Sequence, residues 1–377
     1  MLRAVDDFAV IGGGIAGASL AWRLAAHAAV VLVERESQPG YHSTGRSAAM
    51  FIETYGPPQV RALTRASRAF YERPPAGFAE HPVLTPRGAM YLGLKGQQGL
   101  LDERLSLLRA ATPSVQRISA SEALAMVPVL ETQAVTGALL DPDAQDMDVH
   151  ALHQGYLRGM RQRGGRLLTN AELVMADRAG GSWNLTLGDG RMLRAHTVIN
   201  AAGAWVDAVA RLAGAKPLGL QPKRRTAFTF APPKGLACSA WPVVAGIDES
   251  FYFKPEAGAL LGSPANADLV DAHDVVAEEI DVAVGIDRIQ QATTLTIRRP
   301  LRAWAGLRSF VRDGELVVGW DGQRDGFFWL AAQGGYGIQT ASAVAALAQA
   351  LLLRRAVPPD LSAQGVDANA MSPARLQ

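Results

Sequence analysis

Phe8-Ala9-Val10-Ile11-Gly12-Gly13-Gly14-Ile15-Ala16-Gly17 is the stretch that decides the fold. A short apolar run stops at a glycine cluster, the pattern of a buried strand turning sharply into a helix, here read over Ala18 to His27. Ala29 to Val33 follows as a second buried strand and ends at Glu34. Each glycine has a mechanical task in a dinucleotide-binding turn. Gly12 permits the tight turn, Gly14 lets the backbone approach a pyrophosphate, and Gly17 lets helix pack on strand. Ile15 and Ala16 lie just before that helix, whose N-terminus offers free N–H groups and a partial positive charge to phosphate. Glu34 lies 22 residues after Gly12, where a carboxylate accepts hydrogen bonds from ribose hydroxyls. The glycines alone do not choose among NAD, NADP and FAD. Arg35 would suit a 2′-phosphate, but Glu34 beside it would repel one.

Composition narrows the class of function. The 377 residues suffice for two domains, and 49% hydrophobic with 19% charged residues describes a soluble globular chain. A net charge of +2 gives no field that argues for nucleic acid or an anionic membrane. The lone cysteine, Cys238, excludes an internal disulfide and a cysteine metal cluster. His150 and His153 share a helix face with no evident third ligand, so no metal is expected. The first strand begins close to Met1, and the longest largely apolar stretch, Ala341 to Leu353, is too short to span a bilayer. A cytoplasmic enzyme without a transmembrane segment is the expectation.

Along the chain, two more strand-to-glycine turns follow the first. Thr197 to Asn200 runs into Ala201-Ala202-Gly203-Ala204-Trp205 and a helix, Val206 to Ala213; Phe327 to Ala332 runs into Gln333-Gly334-Gly335-Tyr336-Gly337 and a helix, Gln339 to Arg354. Between them lie short alternating strands: Met90 to Leu94, Thr136 to Leu140, Ser182 to Leu187, Met192 to Ala195, Arg225 to Phe230, Ser250 to Pro255, Ala259 to Gly262 and Thr293 to Arg298. Asp148 is read as the cap of a helix that stops at Gly164-Gly165, and the tail after Pro358 as loosely structured. The expected fold is α/β with two interleaved domains. Residues 1–80, 147–218 and 313–377 form a Rossmann-like dinucleotide-binding domain, and 81–146 and 219–312 a mainly antiparallel substrate domain.

With these turns in this order, the chain resembles the D-amino-acid-oxidase-like FAD-dependent oxidoreductases over essentially its whole length. Within them it is most similar to the bacterial D-arginine dehydrogenase branch. The stretches that carry this are Tyr41-His42-Ser43-Thr44-Gly45-Arg46-Ser47-Ala48-Ala49, Gln221 to Arg225, Leu261 to Asp268, Thr296 to Pro300 and Ala331 to Thr340. The resemblance implies FAD as cofactor. It places Glu34 and Arg35 at the adenosine ribose, Val174 at the adenine, and Ser43, Thr44, Ser47, Ala48 and Ala49 beside the flavin. Ala202, Gly203 and Trp205 belong to the second turn, Gly306 lies by the ring, and Gly335, Tyr336, Gly337, Ile338 and Gln339 line its pyrimidine side.

The same resemblance sets Arg225 and Arg308, with Tyr252, around a substrate α-carboxylate, which arginine's planar fork can grip with two parallel bonds. Arg224 competes with Arg225 for that role. Tyr55 stands on a mobile active-site loop, and the Gly335 carbonyl accepts from the substrate amine. The chain departs from the branch at Met50, where a histidine is usual, and at Ala89, where a glutamate receives the guanidinium. Glu53 is the nearest candidate replacement for that carboxylate. Without one, a buried cationic head loses several kcal/mol. The implied reaction is therefore oxidative deamination of a neutral or apolar D-amino acid. Hydride passes to flavin N5, and a 2-oxo acid and ammonia form. The enzyme would act as a dehydrogenase feeding a quinone or other acceptor. Oxidation of an N-substituted amino acid or a 2-hydroxy acid, or a catalytically silent FAD-binding subunit, are the alternatives.

Overall fold

A computed structural model describes residues 5–376. Its first sheet is built around Asp6–Ile11, flanked on one side by Val30–Val33 and Arg166–Leu168 and on the other by Met192–Asn200. Beyond these come Phe327–Ala331 and Val317–Trp320. All pairings in this row are parallel except the last. Side chains alternate between two packed faces. Val10, Leu32, Ile199 and Leu330 point to a layer holding the helices Ile15–Leu24, Pro58–Glu72, Val149–Gln162 and Gly337–Leu352. Ala9, Ile11, Val31, Val33, Val198 and Trp329 point to the other, made of Val206–Leu212 and the strands Leu173–Ala179 and Ser182–Leu187. Burial on both faces is why these strands read as unbroken apolar runs.

Met192–Asn200 is one strand, although the sequence reads as two. Its first half closes an antiparallel pair with Ser182–Leu187, and its second half runs parallel to Asp6–Ile11. The polar residues Arg194 and His196, which break the apolar pattern, mark where the partner changes.

The second sheet has nine strands and is antiparallel except where Val243–Gly246 runs beside Ala89–Leu94. Its longest members, Gln221–Phe230 and Arg302–Phe310, pair along nearly their full length. Arg302–Phe310 was not expected as a strand, and Thr293–Arg298, expected as one, makes only a single bridge through Thr293. The reason is visible in the burial: Ala305, Leu307 and Ser309 point into the protein while Trp304, Gly306 and Arg308 alternate toward open space. A small residue and a cation on the cavity face hide the period-2 signal. A short three-stranded sheet, Met50–Phe51, Gln145–Met147 and Leu84–Pro86, holds the segment that leads to Tyr55. The tail is packed, not loose: Leu361, Met371 and Pro373 are buried, and Pro373 sits against Gly319.

Candidate functional site

The glycine turn has the mechanics its spacing implies. Gly12 adopts φ +110°, in the region that disfavours side chains, and a Cβ on Gly17 would overlap the Gly12 carbonyl oxygen. Three side chains fasten the turn. Glu34 accepts from the Gly13 N–H at 2.8 Å and from the Glu36 N–H at 2.8 Å. Thr44 Oγ1 accepts from the Ile15 N–H at 3.0 Å. His153 Nε2 bonds the Gly13 carbonyl at 2.8 Å, and burial lowers the pKa of its imidazole.

Two adjoining cavities of about 940 and 900 Å³ run along this turn. One end holds Glu34, Arg35, Ala202, Gly203 and Trp205, with the Arg35 guanidinium 4.5 Å above the Trp205 ring. The cleft continues past Gly14, Ile15, Ala16, Ser43 and Thr44 to Ser47, Ala48 and Gly306, and reaches Gly335, Gly337 and Ile338 at the start of the long helix. Its shape suits an elongated, flat group. A Cβ on Gly14 would meet only Thr44 Oγ1, at 3.3 Å. One on Gly306 would come no closer than 3.5 Å to Arg46, and one on Gly203 meets nothing within 4 Å. At all three places the missing side chain leaves room in the cleft itself. Ser43 Oγ donates to the Leu307 carbonyl at 2.6 Å, tying the 43–49 loop to the strand that carries Gly306.

A third cavity, of about 1030 Å³, opens from the Gly335 end and shares Ser47, Ala48, Arg225, Tyr252, Arg308 and Ile338 with the cleft. Met50, Ala49, Ala89, Tyr55 and Gln339 complete the part of its wall anticipated from sequence. Arg308 Nη1 donates to Tyr55 Oη at 3.0 Å, and Arg225 Nε donates to the Asn266 carbonyl at 2.6 Å. Neither arginine pairs with a carboxylate among the described residues. Burial, and after it the charge of Arg308, lower the pKa of Arg225. At Arg308 burial again opposes the charge, but the phenol oxygens of Tyr55 and Tyr252 outweigh it and raise the pKa. Two guanidinium groups facing one cavity, neither of them in contact with a carboxylate among the described residues, make a site for an anion.

Arg224 and Arg225 are now separated. Arg224 turns to the other face of its strand, where Asp281 accepts from its Nε at 2.9 Å and Glu278 also pairs with it. Glu53 does not enter the substrate cavity. It is bound at 2.6 Å by Arg68, one turn before Glu72 on the helix Pro58–Glu72, because the loop presents it to that helix. Val174 projects outward, 44% exposed, and Ala171, Glu172 and Leu173 line the cleft in its place. Tyr336 stands behind Tyr55, with ring centroids 5.0 Å apart, outside the cleft. Gly335 packs on the Arg308 guanidinium, where an added Cβ would lie 2.8 Å from Cζ. Both polar atoms of Gln339 are engaged, Nε2 by Thr64 and Oε1 by the Ile52 N–H.

Sequence reasoning missed Glu249, Tyr91, Phe251 and Ala265, which also line the third cavity. Glu249 adopts φ +60° on a tight turn and pairs with Arg104 at 2.9 Å. Gly246, Asp248 and Ser250 around it are the local marks of that turn. No group of residues able to hold a metal ion occurs among the described residues. No helix among them is long and apolar enough to cross a membrane.

The family described as "FAD dependent oxidoreductase" matches residues 7–351. Human mitochondrial dimethylglycine dehydrogenase is 26% identical over 263 residues, 68% of this chain; the match spans only 30% of that protein's length. Among solved structures, L-proline dehydrogenase from P. horikoshii superposes with a TM-score of 0.84 at 19% identity, covering 99% of this chain and 98% of its own. Glycine oxidase from Geobacillus kaustophilus gives 0.81 at 21% identity, covering 96% and 98%. At these identities the structural matches establish the fold. The cofactor of this chain is FAD.

Proposed function

The chain belongs to the FAD-dependent oxidoreductase family, and on that premise we propose that it oxidises a D-amino acid with a neutral or apolar side chain. The observation that carries this reading is the pair of arginines, Arg225 and Arg308, facing the cavity that joins the cofactor cleft, with no acidic partner among the described residues. An α-carboxylate held there leaves the side chain toward Met50, Ala89, Val243 and Phe251, an apolar wall. FAD, when bound, supplies the acceptor for the hydride that leaves the substrate's α-carbon.

The chain's own residues bind and orient. Arg308, braced by Tyr55 and by the face of Gly335, and Arg225, braced by Asn266, fix the carboxylate and so the α-carbon. No histidine lines the third cavity, and its one carboxylate, Glu249, is engaged by Arg104. The amine therefore loses its proton to solvent or through Tyr55. Water then hydrolyses the imine to a 2-oxo acid and ammonia. In this reading the enzyme is a dehydrogenase, which would pass its electrons to a quinone or similar acceptor in preference to oxygen.

The test is anaerobic reduction of the bound cofactor by a panel of amino acids. D-leucine, D-methionine and D-phenylalanine are expected to bleach its visible band more efficiently than D-arginine or D-lysine. A preference for D-arginine would overturn the side-chain assignment. A second reading, oxidation of an N-substituted amino acid, is favoured by the similarity to dimethylglycine dehydrogenase. N-methylglycine and proline belong in the same panel, and their outpacing every primary amine would establish it.

A further inference from the structure

Arg225 needs an arrangement that keeps its guanidinium in the cavity, and the side chains that supply it lie on the opposite face of its own strand. Successive residues of Gln221–Phe230 alternate, so Arg224 and Thr226 point away from the cavity while Arg225 points into it. On the far face, Oδ2 of Asp281, in the first turn of the helix Glu279–Ala292, accepts three donors. They are Arg224 Nε at 2.9 Å, Thr226 Oγ1 at 2.8 Å and Asn266 Nδ2 at 3.0 Å. Asn266 Oδ1 in turn accepts from the Thr226 N–H at 2.9 Å. The Asn266 main-chain carbonyl then crosses to the cavity side and accepts from Arg225 Nε at 2.6 Å. Ser263 helps hold the loop: its Oγ donates to the Thr226 carbonyl and accepts from the Ala265 N–H.

We propose that Asn266, locked by Asp281, is the positioning residue for the carboxylate-binding arginine Arg225. The proposal rests on the anion role given to Arg225 above. Occupying Nε with a carbonyl has a definite consequence: only the two terminal nitrogens remain, so the guanidinium meets a ligand with its end-on fork. The carbonyl also offsets part of the cost of burying a cation beside Arg308. Asp281 itself is only 8% exposed and touches none of the cavity. Its contribution therefore passes through Asn266 and through Arg224 and Thr226, the strand neighbours of Arg225.

The experiment uses the FAD-loaded enzyme and reads carboxylate binding apart from turnover. 4-Methylpentanoate, leucine's skeleton without the amine, is titrated against the flavin spectrum of wild type, Asn266→Ala and Asp281→Asn. The expected result is a Kd raised about tenfold in Asn266→Ala, which keeps the main-chain carbonyl but releases the side-chain bonds that hold it against Arg225, and a smaller rise in Asp281→Asn. With D-leucine, KM should rise by the same factor while kcat changes less than about threefold, because the fault lies in ground-state binding. A merely structural role would lower the melting temperature and leave Kd and the KM-to-kcat split unmoved, and that outcome overturns the proposal. If wild type itself shows no carboxylate binding, the anion role of Arg225 fails first and the positioning role with it. If wild type binds and Asn266→Ala binds equally well, only the positioning role fails.

Discussion

The cofactor cleft and the substrate cavity touch at Gly335, yet they are built in opposite ways. The cleft is shaped by backbone: glycines at 14, 203 and 306 leave space, and the helix starts near Ile15 and Gly337 lie along it. The cavity is shaped by side chains. Met50, Ala89, Arg225, Glu249, Tyr252 and Arg308 come from five separate segments of chain, in two sheets and the turn that carries Glu249. A ligand common to a whole family is held by the part that tolerates no side chain. A ligand that varies is held by the part where side chains can be exchanged without disturbing the fold.

The largest effect should come from the side-chain region. Arg308→Met removes a buried cation that donates to Tyr55 and faces the anion site. The expected loss is about 2 to 4 kcal/mol of substrate binding, or roughly 30- to 1000-fold in KM, with FAD still bound. A near-normal KM would break the comparison by showing that the carboxylate is held elsewhere.

In the backbone region, Gly17→Ala sets a Cβ onto the Gly12 carbonyl and cannot be absorbed by a rotamer change. The expected cost is about 3 kcal/mol of stability with loss of FAD, seen as colourless protein of lowered melting temperature. Retention of full flavin content would contradict the close packing of helix on strand.

Ala89→Glu tests exchangeability in the cavity. Ala89 is buried beside Val243 and paired across the sheet with Asp141, whose own carboxyl burial pushes up in pKa. The added carboxylate should raise the ratio of D-arginine to D-leucine turnover efficiency by about 10-fold, close to the value of one charge-assisted bond. An unchanged ratio would mean that the side chain of the substrate does not reach this wall.

The smallest effect concerns pH. Burial lowers the pKa of His153 in the folded protein, so folded protein binds its proton less readily than unfolded protein does. Its neutral form is the one compatible with the fold, and the stability tied to it is lost as pH falls below the ordinary imidazole value of about 6.5. His153→Gln keeps a donor for the Gly13 carbonyl and should flatten the decline in melting temperature between about pH 7 and pH 5.5. Identical slopes in the two proteins would show that His153 is not the group responsible.

This difference in construction also explains what could be read from the chain. Gly12, Gly14, Gly17 and Glu34 announce themselves because a backbone-built site needs particular residues at fixed spacing over a short stretch. The helix Val149–Gln162 was legible for the same local reason, having a capping side chain, Asp148. Asn266, Glu249 and Asp281 were not legible. Their positions depend on how strands far apart in sequence pair, and an Asn in a polar loop carries no local mark of bonding an arginine 41 residues away. Glu53 misled for a related reason: a residue next to a site in sequence points wherever the local turn aims it.

The central claim is that a carboxylate anchored by Arg225 and Arg308 presents the substrate to the cofactor. The measurement that tests it most directly is anaerobic titration of the flavin absorbance with D-leucine, L-leucine and D-leucinamide. The account predicts bleaching by D-leucine, and reduction by the amide weaker by about 100-fold, since the amide lacks the charge the two arginines bind. Equal reduction by D-leucine and D-leucinamide would contradict it.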